Sequence, residues 1–302
     1  MLSILLPVYN CSCVALVTEL HRQCVECKAD FEIIVADDGS LSGAIGTNAA
    51  CQHLIDENKV IEHLKGVRYI IREKNVGRSA IRNFLVSQSK GEKILFIDGD
   101  LSLDNPSFIC NYLQTEADVV VGGIAIGGSP DRWKGNLRYC YERKCETNNT
   151  VESRQSHPYQ HLATNLLVQR SVLGEQPYDE NISHYGYEDV LLGKRFQQQQ
   201  VHVRHIDNPV LFCDFEDNAS YLAKTEEALR TLFAFRKELK GYSRLLDKAE
   251  RIETLHLTPF FIIAYKQLSS PIKNCLLGNK PNVFWFNVYK LLYYLHYAKN
   301  AI

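Results

Sequence analysis

Apolar runs of strand length at residues 4–8, 31–36 and 93–97, with a shorter one at 67–71, punctuate the first hundred residues, and helix-length segments separate them. Residues 14–27 and 79–89 repeat their apolar positions at helical spacing. A strand buried on both faces reads as a continuous apolar run, and parallel neighbours need a long crossover, usually a helix. The pattern predicts βαβ units and an α/β fold with a mostly parallel central sheet flanked by helices. In open sheets of this kind, ligands bind beyond the carboxyl ends of the strands. Those ends carry Pro7-Val8-Tyr9-Asn10, Asp37-Asp38-Gly39-Ser40 and Asp98-Gly99-Asp100, so polar groups from separate strands are expected to converge on one site.

Asp98-Gly99-Asp100 follows the apolar run Ile94-Leu95-Phe96-Ile97, which places two carboxylates where the chain leaves the core. Hard cations such as Mg²⁺ and Mn²⁺ take carboxylate oxygens and commonly share a phosphate-bearing substrate with only one or two protein ligands. Asp and Gly also form ordinary strand-end turns. Upstream, residues 72–83 set Gly77 before a helix start among Arg72, Lys74, Arg78 and Arg82. Helix N-termini and guanidinium groups favour phosphate oxygens, although a basic, solvated helix start has the same composition. Downstream, Tyr185-Gly186-Tyr187-Glu188-Asp189 puts two carboxylates at another helix start. The helix dipole alone favours acids there; alternatively, one of them removes a proton from an attacking hydroxyl.

Taken in order, Pro7-Val8-Tyr9-Asn10, Asp37-Asp38-Gly39-Ser40, residues 72–83, Asp98-Gly99-Asp100, Thr164-Asn165-Leu166 and Gly186-Tyr187-Glu188-Asp189 resemble the motifs of family 2 glycosyltransferases. These are inverting enzymes with the GT-A fold, and the resemblance covers roughly the first 215 residues. It implies a nucleotide-sugar donor, expected to be a UDP-sugar, a glycan or lipid-linked saccharide acceptor, and a divalent metal, Mn²⁺ or Mg²⁺. It also implies roles by position. Pro7 and Tyr9 line the base pocket, Asp38 meets the uracil edge, Arg72 contacts the nucleotide, and Asn75 and Gly77 shape that loop. Asp98 sits against the ribose and Asp100 ligates the metal. Asp189 is the general base, and Glu188 holds the acceptor hydroxyl. Related enzymes often add a histidine ligand near the position of Phe212; His205 is the nearest substitute here and Asp214 a second.

The balance of 34 Lys+Arg against 35 Asp+Glu gives no global argument for a nucleic-acid partner. Met1 leads directly into a strand-like run without a basic leader, and no stretch approaches membrane-spanning length. A cytoplasmic protein is expected, with its ten cysteines as reduced thiols, and this argues against a processive polymer-exporting synthase. Cys24 and Cys27 have metal-like spacing but no second pair at zinc-finger distance, so packing thiols are the expected reading. Acceptor tripeptides at Asn148, Asn181 and Asn218 carry meaning only for an exported chain. Residues 1–217 read as the catalytic domain and 218–302 as a helical extension. Within the first, residues 129–158 lack a clear period and read as an excursion over the sheet. The extension interleaves aromatics with lysines, as in Tyr289-Lys290-Leu291-Leu292-Tyr293-Tyr294. Packing on the catalytic domain is the plain reading; the sharper one is peripheral contact with the inner face of a membrane. A sugar nucleotidyltransferase is the rival enzyme class, but Tyr9-Asn10-Cys11-Ser12 stands where it would carry a glycine-rich loop. A degenerate glycan-binding or scaffold protein is the non-enzyme alternative.

Overall fold

The computed structural model describes residues 1–40, 48–146, 149–182 and 184–301; Asn148 and Ser183, each part of an acceptor tripeptide, lie outside them. The first half runs β1 (Leu2–Val8), α1 (Val14–Glu26), β2 (Phe31–Asp37), α2 (Asn48–Lys59), β3 (Val67–Ile71), α3 (Arg78–Gln88), β4 (Lys93–Phe96), α4 (Phe108–Gln114), β5 (Val119–Val121) and β6 (Ile124–Ile126). Three helices follow, α5 (Pro130–Trp133), α6 (Leu137–Glu146) and α7 (Val151–Gln155), then β7 (Leu166–Gln169), α8 (Arg170–Leu173), α9 (Glu188–Gln198), β8 (Val203–His205) and β9 (Val210–Phe212). The chain ends in α10 (Asn218–Ala234), α11 (Arg244–Thr254), α12 (Thr258–Leu277) and α13 (Val283–Asn300).

Two compact units divide these elements. Met1–Gly127, Thr150–Ser183 and Glu188–Cys213 form one; Gly128–Asn149, His184–Tyr187 and Asp214–Ile302 form the other. The first holds a seven-stranded sheet in the order β3-β2-β1-β4-β7-β5-β8, and β6 pairs with β9 in a small second sheet. Only β7 runs antiparallel to its neighbours β4 and β5. The apolar runs make the core by continuous burial: Ile4, Leu5, Leu6, Ile33 to Val35 and Ile94 to Leu95 are all inaccessible to solvent. One face of the sheet packs Leu5, Ile34, Phe96 and Val121 against Ile81 and Leu85 of α3 and Phe196 of α9. This clamps α3 and α9, both of which carry polar residues at their N-termini, onto the sheet.

The second unit is helical. Leu137 of α6 shares a core with Leu222, Ile272, Leu276, Phe286, Tyr289 and Leu292. Residues 128–149 therefore belong with the C-terminal helices, and the grouping departs from a single cut after residue 217. The aperiodic stretch at 129–158 is helical over much of its length, because side chains organise its turns. Asn136 Oδ1 accepts the Tyr139 N–H, and Thr150 caps α7 by accepting from Ser153. The aromatic run in α13 is mostly core, since Tyr289 and Tyr294 are buried. Among the described residues, no helix is long and apolar enough to cross a membrane.

One cysteine pair differs from expectation. Cys27, which ends α1, and Cys110 in α4 are joined in a disulfide with a Cα–Cα distance of 6.1 Å. The helices lie side by side, whereas the cysteines are 83 residues apart in sequence, so spacing gives no hint of the pairing. Cys24 stays a buried free thiol, which leaves Cys24 and Cys27 unable to act as a metal pair.

Candidate active site

The site sits at the carboxyl edge of the first unit's sheet, where β1, β2 and β3 end level at Val8, Asp37 and Ile71 and β4 ends opposite Leu5. At the end of β2 the two aspartates divide their work. Asp37 is fully buried and accepts from the Ser40 N–H at 2.7 Å, the Ser40 hydroxyl at 2.8 Å and the Tyr69 hydroxyl at 3.2 Å. It fixes the turn. Asp38 accepts the Val76 and Gly77 N–H groups at 3.0 and 3.1 Å, one on each oxygen. Burial raises its pKa, and those two N–H bonds work against the rise.

Gly39 explains how closely the loop at 72–77 lies on this turn. Its φ is +77°, and a Cβ there would stand 2.3 Å from the Asn75 nitrogen. The loop carrying Asn75 and Gly77 is thus held close against Asp38. Arg72 lies on the ring of Phe84, with its guanidinium 4.4 Å from the centroid. Pro7 is in β1, and Tyr9 just beyond it is 41% exposed, an aromatic face open to solvent.

Gly99 lets the two carboxylates of β4's end lie against β1: its N–H donates to Pro7 O at 3.1 Å, and a Cβ would come within 2.6 Å of Val8 Cγ2. Thr164 braces the same turn by accepting the Asp98 N–H at 2.9 Å. Asn165, next to it, is a packing node: its amide donates to Gly123 O and Asn208 O, and its Oδ1 accepts from the Tyr112 hydroxyl at 2.6 Å. Asp98 is gripped by two arginines of α3. Arg78 Nη2 donates to Oδ2 at 2.9 Å and Arg82 Nη2 to Oδ1 at 2.7 Å. Both guanidiniums continue to one oxygen of Glu188 in α9, Arg78 Nε at 2.8 Å and Arg82 Nη1 at 3.3 Å. The result is a closed ring of two cations and two carboxylates, with Arg82 only 1% exposed.

Spacing at i and i+4 puts Arg78 and Arg82 on one face of α3, a pairing present in the sequence. Their partners become visible only in the fold: for Arg82 they lie 16 and 106 residues away. The arginines expected to meet phosphate are instead engaged with carboxylates; buried Arg82 also donates to Ala163 O at 3.2 Å, while Arg78 keeps 35% of its side chain exposed.

Asp189 follows Glu188 in the first turn of α9, after two successive left-handed residues, Gly186 at φ 98° and Tyr187 at φ 72°. A bulky side chain rarely adopts that conformation, and such outliers gather where the fold imposes a geometry. Burial, and then the neighbouring Glu188 charge, push the Asp189 carboxyl up to about 6, although Arg78 and Arg82 pull the other way. A carboxylate of that basicity suits proton abstraction near neutral pH.

Asp100 is exposed beyond β4. Among the described residues no cluster of three His, Cys, Asp or Glu side chains could hold a metal ion. The donor set still fits a cation shared with a diphosphate, because such an ion needs only one or two carboxylates and keeps its waters. Asp98 is the poorer ligand, as each of its oxygens already accepts a guanidinium N–H. Cys11 stays a neutral thiol, its pKa pushed up to about 12 by burial and by Asp100. His205 is occupied elsewhere: Nδ1 accepts from Arg154 at 3.3 Å and Nε2 donates to Pro158 O at 3.0 Å. Burial, aided by the Arg154 charge, lowers its pKa to about 4. The metal-ligand role expected of His205 has no ring nitrogen to draw on in this arrangement.

A family model described as glycosyl transferase family 2 matches residues 3–173. The chain belongs to glycosyl transferase family 2. Solved structures similar to this family 2 chain agree on the fold. Residues 1–349 of TarS from S. aureus align at 16% identity with a TM-score of 0.50, covering 99% of this chain and 91% of that one. The mannosyltransferase PcManGT from Pyrobaculum calidifontis, solved with GDP-Man and Mn²⁺, aligns at 13% identity with a TM-score of 0.53, covering 99% and 86%. The architecture is GT-A, with a helical C-terminal region, and the protein is a glycosyltransferase.

Proposed function

We propose that the chain transfers a sugar, with inversion, from a UDP-sugar to a hydroxyl of a glycan or lipid-linked saccharide. The observation that carries this reading is the contrast between two adjacent carboxylates: Glu188 is neutralised by two arginines, while Asp189 is left basic. In-line displacement needs a base on one face of the anomeric carbon and a stabilised diphosphate on the other. Asp189 takes the proton of the acceptor hydroxyl as its oxygen forms the new glycosidic bond, and the bond to the diphosphate breaks. The second oxygen of Glu188 holds that hydroxyl in line.

Tyr9 and Pro7 bind the base, Asp38 accepts from the uracil N–H through a remaining lone pair, and Arg72 contacts the nucleotide while Asn75 and Gly77 shape the loop. Asp98, fixed by Arg78 and Arg82, binds the ribose hydroxyls. Asp100 would hold a divalent cation, Mn²⁺ or Mg²⁺, which when bound supplies positive charge to the diphosphate leaving group. The Mn²⁺ found with PcManGT supports the cation, and its GDP-Man marks guanine as the competing base.

Two measurements test the reading. Asp189→Asn is expected to abolish transfer and leave UDP affinity within a few-fold; normal turnover by that variant would overturn the assignment. Screening UDP-, GDP- and dTDP-sugars for slow, metal-dependent hydrolysis is expected to consume a UDP-sugar. Consumption of a GDP-sugar alone refutes the role given to Asp38, and tight binding without hydrolysis or transfer favours a glycan-binding protein instead.

A further inference from the structure

We propose that the corner between α11 and α12 is a docking surface for an anionic phospholipid bilayer. This goes beyond the transferase reading and stands on the helical unit alone. Within nine residues Leu255, Leu257, Phe260 and Ile263 are 57%, 45%, 68% and 56% exposed. Single exposed apolar residues are ordinary, but a contiguous group marks an interaction surface. The corner is an ordered turn, since the Leu257 N–H donates to Ile252 O and the Phe260 N–H to Leu257 O.

A basic stripe leads into it. Arg244, Lys248 and Arg251, all exposed, recur at i, i+4 and i+7 of α11, and Leu255 at i+11 continues the same face. None of the three forms a hydrogen bond or ion pair through its side chain among the described residues, and the exposed Lys266 follows one turn after Ile263. Of the acids on α11, Glu250 is paired with Lys240 at 3.1 Å, Glu253 points away from the stripe at about 100° per residue, and Asp247 borders it.

Apolar anchors ringed by uncompensated cations match a surface with acyl chains below and anionic headgroups above. A second copy docking by the same face would oppose its own cations to these, which argues for lipid as the occupant. The structure also relocates the contact suggested by the aromatic run of α13, because those tyrosines are largely core.

Co-sedimentation of the full chain with vesicles of neutral phosphatidylcholine, or of the same lipid with 30 mol% phosphatidylglycerol on the order of headgroup densities that give a negative surface, tests this. Binding is expected only to the anionic vesicles. Combining Arg244→Gln, Lys248→Gln and Arg251→Gln is expected to weaken it on the order of 100-fold, from roughly five-fold per basic residue at an anionic surface. Phe260→Ser with Ile263→Ser is expected to weaken binding independently. All these positions are exposed, so thermal unfolding and UDP binding should be unchanged. Absence of binding to anionic vesicles, equal binding to neutral ones, an unchanged triple variant, or a concentration-dependent dimer abolished by Phe260→Ser would each overturn the proposal.

Discussion

Asp189→Asn makes a demanding test, because the structure assigns the side chain two opposite effects. Its carboxyl is raised from the ordinary 3.8 to about 6, by burial first and by Glu188 second. At about 1.4 kcal/mol per pH unit, this corresponds to a folding cost of about 3 kcal/mol once the group is ionised. The sign follows from which state holds the proton more tightly. Above pH 6 the carboxylate is charged in both states, and the folded protein bears the whole cost. As pH falls from 6 towards 3.8 the folded protein takes up a proton first, and the cost disappears. Asparagine keeps the shape and carries no charge at any pH.

The variant should therefore be more stable than the native chain at pH 8, by about 1–3 kcal/mol. That gain should shrink to about a third near pH 4.5 and vanish below the ordinary value of 3.8. Urea unfolding of both proteins at the two pH values measures the difference directly. Transfer activity should be lost at both. In the native enzyme, kcat/KM should fall as pH drops through about 6, since that profile reports the free enzyme's base. A variant that is less stable at pH 8, or whose stability differs from the native chain equally at both pH values, would refute the argument from a buried, basic carboxylate.

Arg82→Met should destabilise the first unit by about 3–5 kcal/mol in urea unfolding, because it leaves the Asp98 and Glu188 charges short of a partner, and Arg82→Lys should recover little of this since a single ammonium cannot span both. Gly39→Ala should weaken UDP binding by calorimetry far more than it changes Asp189-dependent titration, as its Cβ displaces Asn75 at a left-handed position. Alkylation of the unfolded, unreduced protein should label eight cysteines, the number of free thiols, rather than ten. Removing the Cys27–Cys110 bond by Cys110→Ser should lower stability by about 2–4 kcal/mol.

Strands β1 to β4 and helices α1 and α3 were legible because each is encoded locally. A run such as Ile33-Ile34-Val35 has one place to go, and the residues that end it must emerge at the sheet's edge. Asp38 and Asp98 could thus be placed at one end of the sheet before any contact was known. What binds them could not. Asp38 reaches Val76 and Gly77 across 38 and 39 residues, and Arg82 reaches Glu188 across 106. The surroundings of His205 were hidden for a related reason: its type suits a metal, but Arg154 and the Pro158 carbonyl oxygen engage its two nitrogens. Helix α6 was hidden because Leu137, Tyr139 and Tyr141 are interleaved with Arg138 and Cys140 and followed by Glu142-Arg143-Lys144, with no sustained apolar repeat at helical spacing. Its apolar face exists only once α10, α12 and α13 supply the other half of the core.

The arginine pair links these observations into one design. Four acidic groups stand close to the proposed chemistry, and a site holding all of them charged and equivalent would repel its diphosphate and lack a distinct base. Arg78 and Arg82 break the equivalence. By pairing with Asp98 and one oxygen of Glu188 they hold both carboxylates as fixed hydrogen-bonding frames. At Asp189 the loss of water and the Glu188 charge beside it outweigh the pull of both arginines, so its carboxyl is pushed up to about 6. Asp100 is exposed beyond the end of β4. Pairs of titratable groups driven apart by environment mark acid–base assignments in active sites. Arg82 is one of the two cations that pull the Asp189 carboxyl down, so its loss should disturb the pH profile as well as the fold.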